Sequence, residues 1–199
     1  MEGERYVGRK FRVEFVEKVS TSRVELAREL MYYSRLLNSE GVNPGSCGNL
    51  SARTDEGMLI TAGGVDKKEI NEEDMVEVVD YIQEDNRASV RGLREPSSET
   101  PMHWLIYGNY PGTCAIIHCH DPVVLKKSHI LREAGITTTG REEPYGTRAL
   151  ANQVVGALKH SSYVFIREHG SLSVGINLRD AFDLMLKVHK KFNDESKDR

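Results

Sequence analysis

The stretch Cys114-Ala-Ile-Ile-His-Cys-His-Asp-Pro122 constrains the fold of this chain more than any other segment. Its apolar start, Cys114 to Ile117, suits a buried strand, which needs cover on both faces. Along a strand, residues two apart point to the same face. His118 and His120 therefore present two imidazoles to one side, and Cys119 turns to the other. Asp121 and Pro122 then open a helix, because a first helical position needs no amide donor. A sheet covered by helices, with polar chemistry at a strand end, follows from these residues.

The flanking pattern agrees. Val24, Ala27, Leu30, Met31, Ser34 and Leu37 recur at helical spacing within 20–40, behind Ser20, Thr21 and Ser22 as caps and before Gly41 as a stop. Met58–Thr61 and Met75–Val79 read as strands. Ser97 and Ser98 are expected to cap a helix running to about Tyr107. Segments 147–160 and 178–193 read as amphipathic helices. Tyr163–Ile166 and Ser171–Val174 read as strands on either side of a turn, Glu168-His169-Gly170. The irregular, hairpin-like spacing points to an α/β/α sandwich with a mostly antiparallel central sheet rather than a doubly wound one.

Composition narrows the partners. The chain has 199 residues, which suits a single domain, with residues 1–19 as an extension holding one short strand at Phe11–Phe15 and 194–199 as a frayed tail. Net charge is −3 and the isoelectric point about 6.2, which argues against nucleic acid. Three cysteines without a Cys-x-x-Cys pair suggest neither a disulfide framework nor a cysteine zinc site, and fit a cytoplasmic protein. No apolar run approaches the roughly 18 residues of a membrane span, so no membrane is expected.

Neutral imidazoles suit zinc, and a catalytic zinc keeps three protein ligands and one open position. His169 is the best third ligand to His118 and His120, since Gly170 lets the chain turn tightly beside it. Spacing alone leaves open that these histidines are only polar strand-end residues, or that Cys119 replaces one of them. Glu99, at a helix start, suits the helix dipole and is also a candidate general base. His103 shares its face and is read as a supporting residue. His129, His160 and His189 read as surface residues. The turns holding Gly48-Asn49, Gly63-Gly64 and Ser97-Ser98 offer amides and hydroxyls for an anion. Neither a P-loop nor a dinucleotide fingerprint is present.

In order, Gly48-Asn-Leu-Ser-Ala-Arg53, Ile60-Thr-Ala-Gly-Gly-Val-Asp66, Pro96-Ser-Ser-Glu99, His103, Ile116-Ile-His-Cys-His120, Tyr145-Gly-Thr-Arg148 and Glu168-His-Gly170 resemble the class II aldolase/adducin-head family. The resemblance spans about residues 22–192. It implies an α/β/α fold and a homotetramer with active sites at subunit interfaces. It implies one zinc per subunit on His118, His120 and His169. Glu99 matches the carboxylate that binds the metal at rest and exchanges the proton in catalysis. Gly48, Asn49, Gly63, Gly64, Ser97 and Ser98 match the phosphate-binding turns, with Gly63 standing where the family often has Ser. The implied activity is metal-dependent cleavage of a sugar 1-phosphate of the L-fuculose type to dihydroxyacetone phosphate and an aldehyde, through a metal-stabilised enediolate. A methylthioribulose-1-phosphate dehydratase, a ribulose-5-phosphate 4-epimerase and a non-catalytic adducin-like interaction domain are the alternatives.

Overall fold

The computed structural model describes residues 10–194. Of the two terminal segments read from the sequence, residues 1–9 and 195–199 therefore lie outside the described part. Eight strands form one sheet: β1 (Arg12–Glu17), β2 (Asn49–Arg53), β3 (Met58–Thr61), β4 (Met75–Ile82), β5 (Arg87–Arg91), β6 (Ala115–Cys119), β7 (Tyr163–Ile166) and β8 (Gly170–Gly175). Their spatial order is β1-β5-β4-β3-β2-β6-β8-β7. Five helices surround them: α1 (Val24–Ser39), α2 (Thr100–Asn109), α3 (Pro122–Lys126), α4 (Arg148–Leu158) and α5 (Leu178–Asp194). Helices α1 and α5 pack on one face of the sheet with α3 against α5, while α2 and α4 pack together on the other side.

All neighbouring strands from β5 to β7 pair antiparallel. β1 instead joins β5 in parallel, with Val13 opposite Ala88 and Phe15 opposite Val90. The expected mostly antiparallel sheet is thus corrected to a mixed one at this edge. The physical reason is that β1 reaches β5 by a long route through the whole β2–β4 meander, and parallel neighbours need such a connection. Strand β5 itself carries no apolar run. Its sequence, Arg-Ala-Ser-Val-Arg, buries only Ala88 and Val90, and the sequence reading passed over it.

The core is built from the expected positions. On α1, Ala27, Leu30, Met31, Ser34 and Leu37 are buried, and Gly41 (φ +74°) ends the helix as its amide donates to Asn38 O. Leu50, Ile60, Ile116, Ile117 and Val164 are wholly buried between the layers. Two caps differ from expectation. Arg23, not a Ser or Thr, occupies the N-cap position of α1. Helix α2 starts at Thr100 with Glu99 as its N-cap residue, because Ser97 and Ser98 are held in the preceding turn, where Ser97 O accepts from Thr100 N at 3.1 Å. No helix among the described residues is long and apolar enough to cross a membrane.

Candidate active site

Strand β6 lies between β2 and β8 in the middle of the sheet, and all of its residues are buried. It delivers His118 and, just past its end, His120 to the α2 side. His118 is in register with Asn49 on β2. β8 begins beside it after the turn that carries His169. Gly170 makes that approach possible: a Cβ there would sit 2.6 Å from Cys119 O and 3.0 Å from the His118 ring. The three imidazoles converge. Their ring centroids are 4.7–5.0 Å apart, and one nitrogen from each lies within 4.8 Å of the others. Cys119 points away and is buried on the other face.

The protonation pattern of this cluster bears on what it can hold. His118 Nδ1 lies 2.9 Å from Ser171 O. A carbonyl only accepts, so Nδ1 is the donor there and Nε2 is the nitrogen turned to the cluster. That Nε2 lies 3.0 Å from His120 Nε2 and 3.0 Å from Glu99 Oε2. His169 Nε2 lies 2.9 Å from Glu99 Oε1. At these distances the carboxylate accepts from imidazole nitrogens that carry a proton, and a cation set among the same atoms would take the place of those protons. The donor set, three imidazoles and one carboxylate, fits a divalent ion of the zinc type.

Glu99 is brought here by the start of α2. It is 4% exposed, and its Oε2 accepts from Asn49 Nδ2 at 2.8 Å. Burial acts to raise its pKa, yet the neighbouring His118 and His169 outweigh this and hold the carboxyl well below its usual range. Burial, reinforced by His118 and His169, pushes His120 down to about 3. His103 is outside the converging group. It is wholly buried below Glu99, with Nδ1 2.7 Å from Ser51 Oγ, which lies 2.9 Å from the Tyr107 hydroxyl. Burial lowers its pKa to about 3, so it is a neutral supporting residue.

His189 corrects the surface reading. It is buried on α5, and its Nδ1 donates to Asp121 Oδ2 at 2.9 Å. Asp121 Oδ1 meanwhile accepts from the Val123 and Val124 amides at the start of α3. The residue after His120 is thus anchored from both sides. His129 and His160 are exposed, as expected.

A cleft of about 900 Å³ opens above the cluster. Gly48, Asn49, Gly63, Gly64, Ser97 and Ser98 all line it, together with Glu99, His120 and His169. Two of these turn residues are also bonded within the protein. The Gly63 amide is already donated to Glu95 O at 3.2 Å, so Gly63 is a wall residue, not a free amide donor. The Asn49 side chain is turned to Glu99. Leu125, Lys126, Glu142, Tyr145, Phe165 and Glu168 also line it, as do Ser46, Cys47 and Ser128. No candidate role was read for them from the sequence, because they come from α3, loops and an edge strand with no shared pattern; only Tyr145 and Glu168 sat in recognisable motifs.

Gly48 ties the turn to the histidine strand. Its φ is +66°, and a Cβ there would lie 2.4 Å from His118 O and 2.7 Å from Asn43 Oδ1. Asn43 Oδ1 in turn accepts from the His120 amide at 3.2 Å. Gly48→Ala is expected to destabilise the protein by about 2 kcal/mol or more, from the left-handed backbone and the displaced carbonyl together. Urea unfolding measures this, and an unchanged midpoint would refute the steric account.

A helix-covered sheet with three inward imidazoles, a buried carboxylate among them and a glycine- and serine-rich cleft above is the arrangement of a class II aldolase-type protein with a group fit to hold a metal. The chain belongs to the class II aldolase and adducin N-terminal domain family, whose model matches residues 28–193. It is 27% identical over 181 residues to the 5-methylthioribulose-1-phosphate/5-deoxyribulose-1-phosphate aldolase of Rhodospirillum rubrum, covering 85% of this chain and 79% of that protein. It is 29% identical over 178 residues to the L-fuculose phosphate aldolase of Escherichia coli, covering 83% and 80%. Among solved structures it is similar to an L-fuculose 1-phosphate aldolase, with a TM-score of 0.73, 26% identity and coverage of 90% and 89%.

Proposed function

We propose that this chain is a zinc-dependent aldolase that cleaves a ketose 1-phosphate to dihydroxyacetone phosphate and an aldehyde. One observation carries the reading: Glu99 lies within 3.0 Å of both His118 and His169 at the floor of a cleft walled by glycine and serine turns. His118, His120 and His169 would hold one divalent ion per chain. When bound, that ion supplies Lewis acidity to the substrate oxygens, the charge stabilisation that carbon–carbon cleavage beside a carbonyl requires.

The remaining work belongs to the chain's own groups. Gly48, Gly64, Ser97 and Ser98 offer amides and hydroxyls to the phosphate, while Asn49 steadies the Glu99 carboxylate through Nδ2. In the synthetic direction Glu99 removes a proton from C3 of dihydroxyacetone phosphate, a role that suits a carboxylate held ionised by its neighbours. In cleavage the C4 hydroxyl gives up its proton to solvent as the C3–C4 bond breaks and the aldehyde forms, and the Glu99 carboxyl delivers one proton to C3, so the proton count balances. The apolar and polar wall of Leu125, Phe165, Tyr145, Lys126 and Glu142 faces the part of the substrate that leaves as the aldehyde. In this reading the working unit is a cytoplasmic homotetramer with clefts completed at subunit interfaces, which sedimentation tests.

Metal-loaded protein is assayed with fuculose, rhamnulose, ribulose and methylthioribulose 1-phosphates, following release of dihydroxyacetone phosphate. Release from at least one is expected. Loss of water from methylthioribulose 1-phosphate without carbon–carbon cleavage would replace the aldolase reading with a dehydratase. Stripping the metal with a chelator is expected to abolish turnover, and added zinc to restore it; full activity of metal-free protein would refute the metal's role.

A further inference from the structure

Lys67 has no exposed surface at all. It follows the Gly63-Gly64 turn, yet its ammonium lies underneath the cleft lining. Nζ donates to Val65 O at 2.8 Å and, more weakly, to Ser46 O at 3.4 Å. Its own amide donates to Gly45 O at 3.0 Å. Lys67 thereby joins the turn before Asn49 to the turn that follows β3, the two loops that contribute Gly48 and Gly64 to the cleft. Among the described residues no carboxylate lies within ion-pair distance of it.

A planar trans peptide points its C=O and its N–H in opposite directions. With the Ser46 carbonyl drawn down to Lys67, the Cys47 amide is directed up, and Cys47 lines the cleft. The Cys47 and Gly64 amides donate to no protein group among the described residues. A buried cation without a countercharge is costly, and a dianion placed over these two loops would offset that cost. We infer that Lys67 is the positioning residue of the anion end of the cleft, holding the Cys47 amide outward from below and acting as the buried countercharge of a bound phosphate monoester. This rests on the reading that the substrate is phosphorylated. Burial lowers the Lys67 pKa to about 8, with Cys119, Cys47, Asp66 and Asp74 opposing the shift, so the group stays mostly charged at neutrality.

The test compares metal-loaded wild type, Lys67→Met and Lys67→Gln, with inorganic phosphate as the probe in calorimetry. Gln keeps an N–H donor for the carbonyls but removes the charge. Both variants are expected to bind phosphate about tenfold or more weakly. KM for the ketose 1-phosphate should rise by a similar factor, while kcat stays within about threefold. Without phosphate, Lys67→Met should melt at or above the wild type, since a costly buried charge is gone. Phosphate affinity within about twofold of wild type in either variant overturns the proposal while leaving the phosphorylated-substrate reading intact. So does a fall in kcat at constant KM, or failure of both variants to fold, because either marks Lys67 as a purely structural tie. Wild type that binds no phosphate overturns both the proposal and the reading beneath it.

Discussion

Glu99→Gln is expected to keep its metal and lose turnover by about 10²–10⁴-fold, the usual range for removal of a general base or acid. The substitution preserves volume and polarity at a site that is 4% exposed. The three imidazoles, which come from β6, the residue after it and the turn before β8, are untouched. What disappears is the ability to take a proton from C3. Two measurements separate this role from that of a ligand. Elemental analysis should find about one metal per chain in both proteins. Exchange of the C3 proton of dihydroxyacetone phosphate with deuterated solvent, followed by NMR, should be rapid in wild type and absent in the variant. Exchange at the wild-type rate would remove Glu99 from the proton-transfer step. Loss of the metal would instead make it an essential ligand.

His118→Ala should have the complementary result, loss of the metal itself. His118 is wholly buried, fixed through Nδ1 by the Ser171 carbonyl, and its Nε2 lies 3.0 Å from both His120 and Glu99. Removing it takes away the ligand whose orientation is best determined, and outer contacts of this kind alone are worth about 10–100-fold in metal affinity. Metal content should fall from about one per chain to nearly none, and turnover with it. A ligand that binds only the folded state at 100 times its Kd adds about 2.7 kcal/mol of stability. Zinc should therefore raise the melting temperature of wild type and leave that of the variant unmoved. A variant that retains stoichiometric metal would sink the assignment of His118. A variant that melts lower even without metal, but regains stoichiometric zinc at high concentration, would limit its role to packing.

Much of the architecture was legible because it depends on local patterns. The α1 stripe from Ala27 to Leu37 is periodic, and a period of 3.6 identifies both a helix and its buried face. The β6 run ends in His-x-His, and strand alternation alone puts both rings on one side. The parallel β1–β5 edge was not legible. Nothing local in Arg12–Glu17 or Arg87–Arg91 states which strand will be a neighbour, since that pairing joins residues about 75 positions apart. The caps of α1 and α2 also escaped, because hydrogen bonds in the preceding turns displaced the serines and threonines favoured by propensity.

The histidines show the same division. Their spacing named His118 and His120, with His169 beside Gly170 as the best third ligand and Glu99 as a candidate base, and the resemblance joined the four into one site. It did not distinguish His189, buried against Asp121, from His160, exposed in a turn, because both sit in helical segments beside lysines. Lys67 is the sharpest case. Nothing in Asp66-Lys-Lys-Glu69 sets Lys67 apart from its neighbour, yet Lys68 is exposed and Lys67 is sealed beneath two loops. The sequence by itself determined most of the elements, the family and the kinds of side chain available for chemistry, since these follow from periodicity and residue type. Only the tertiary structure decided which imidazole nitrogens face one carboxylate, which amides are left free and where a lysine is buried. Those depend on the distances between segments far apart in the chain, and burial and electrostatics act through such distances.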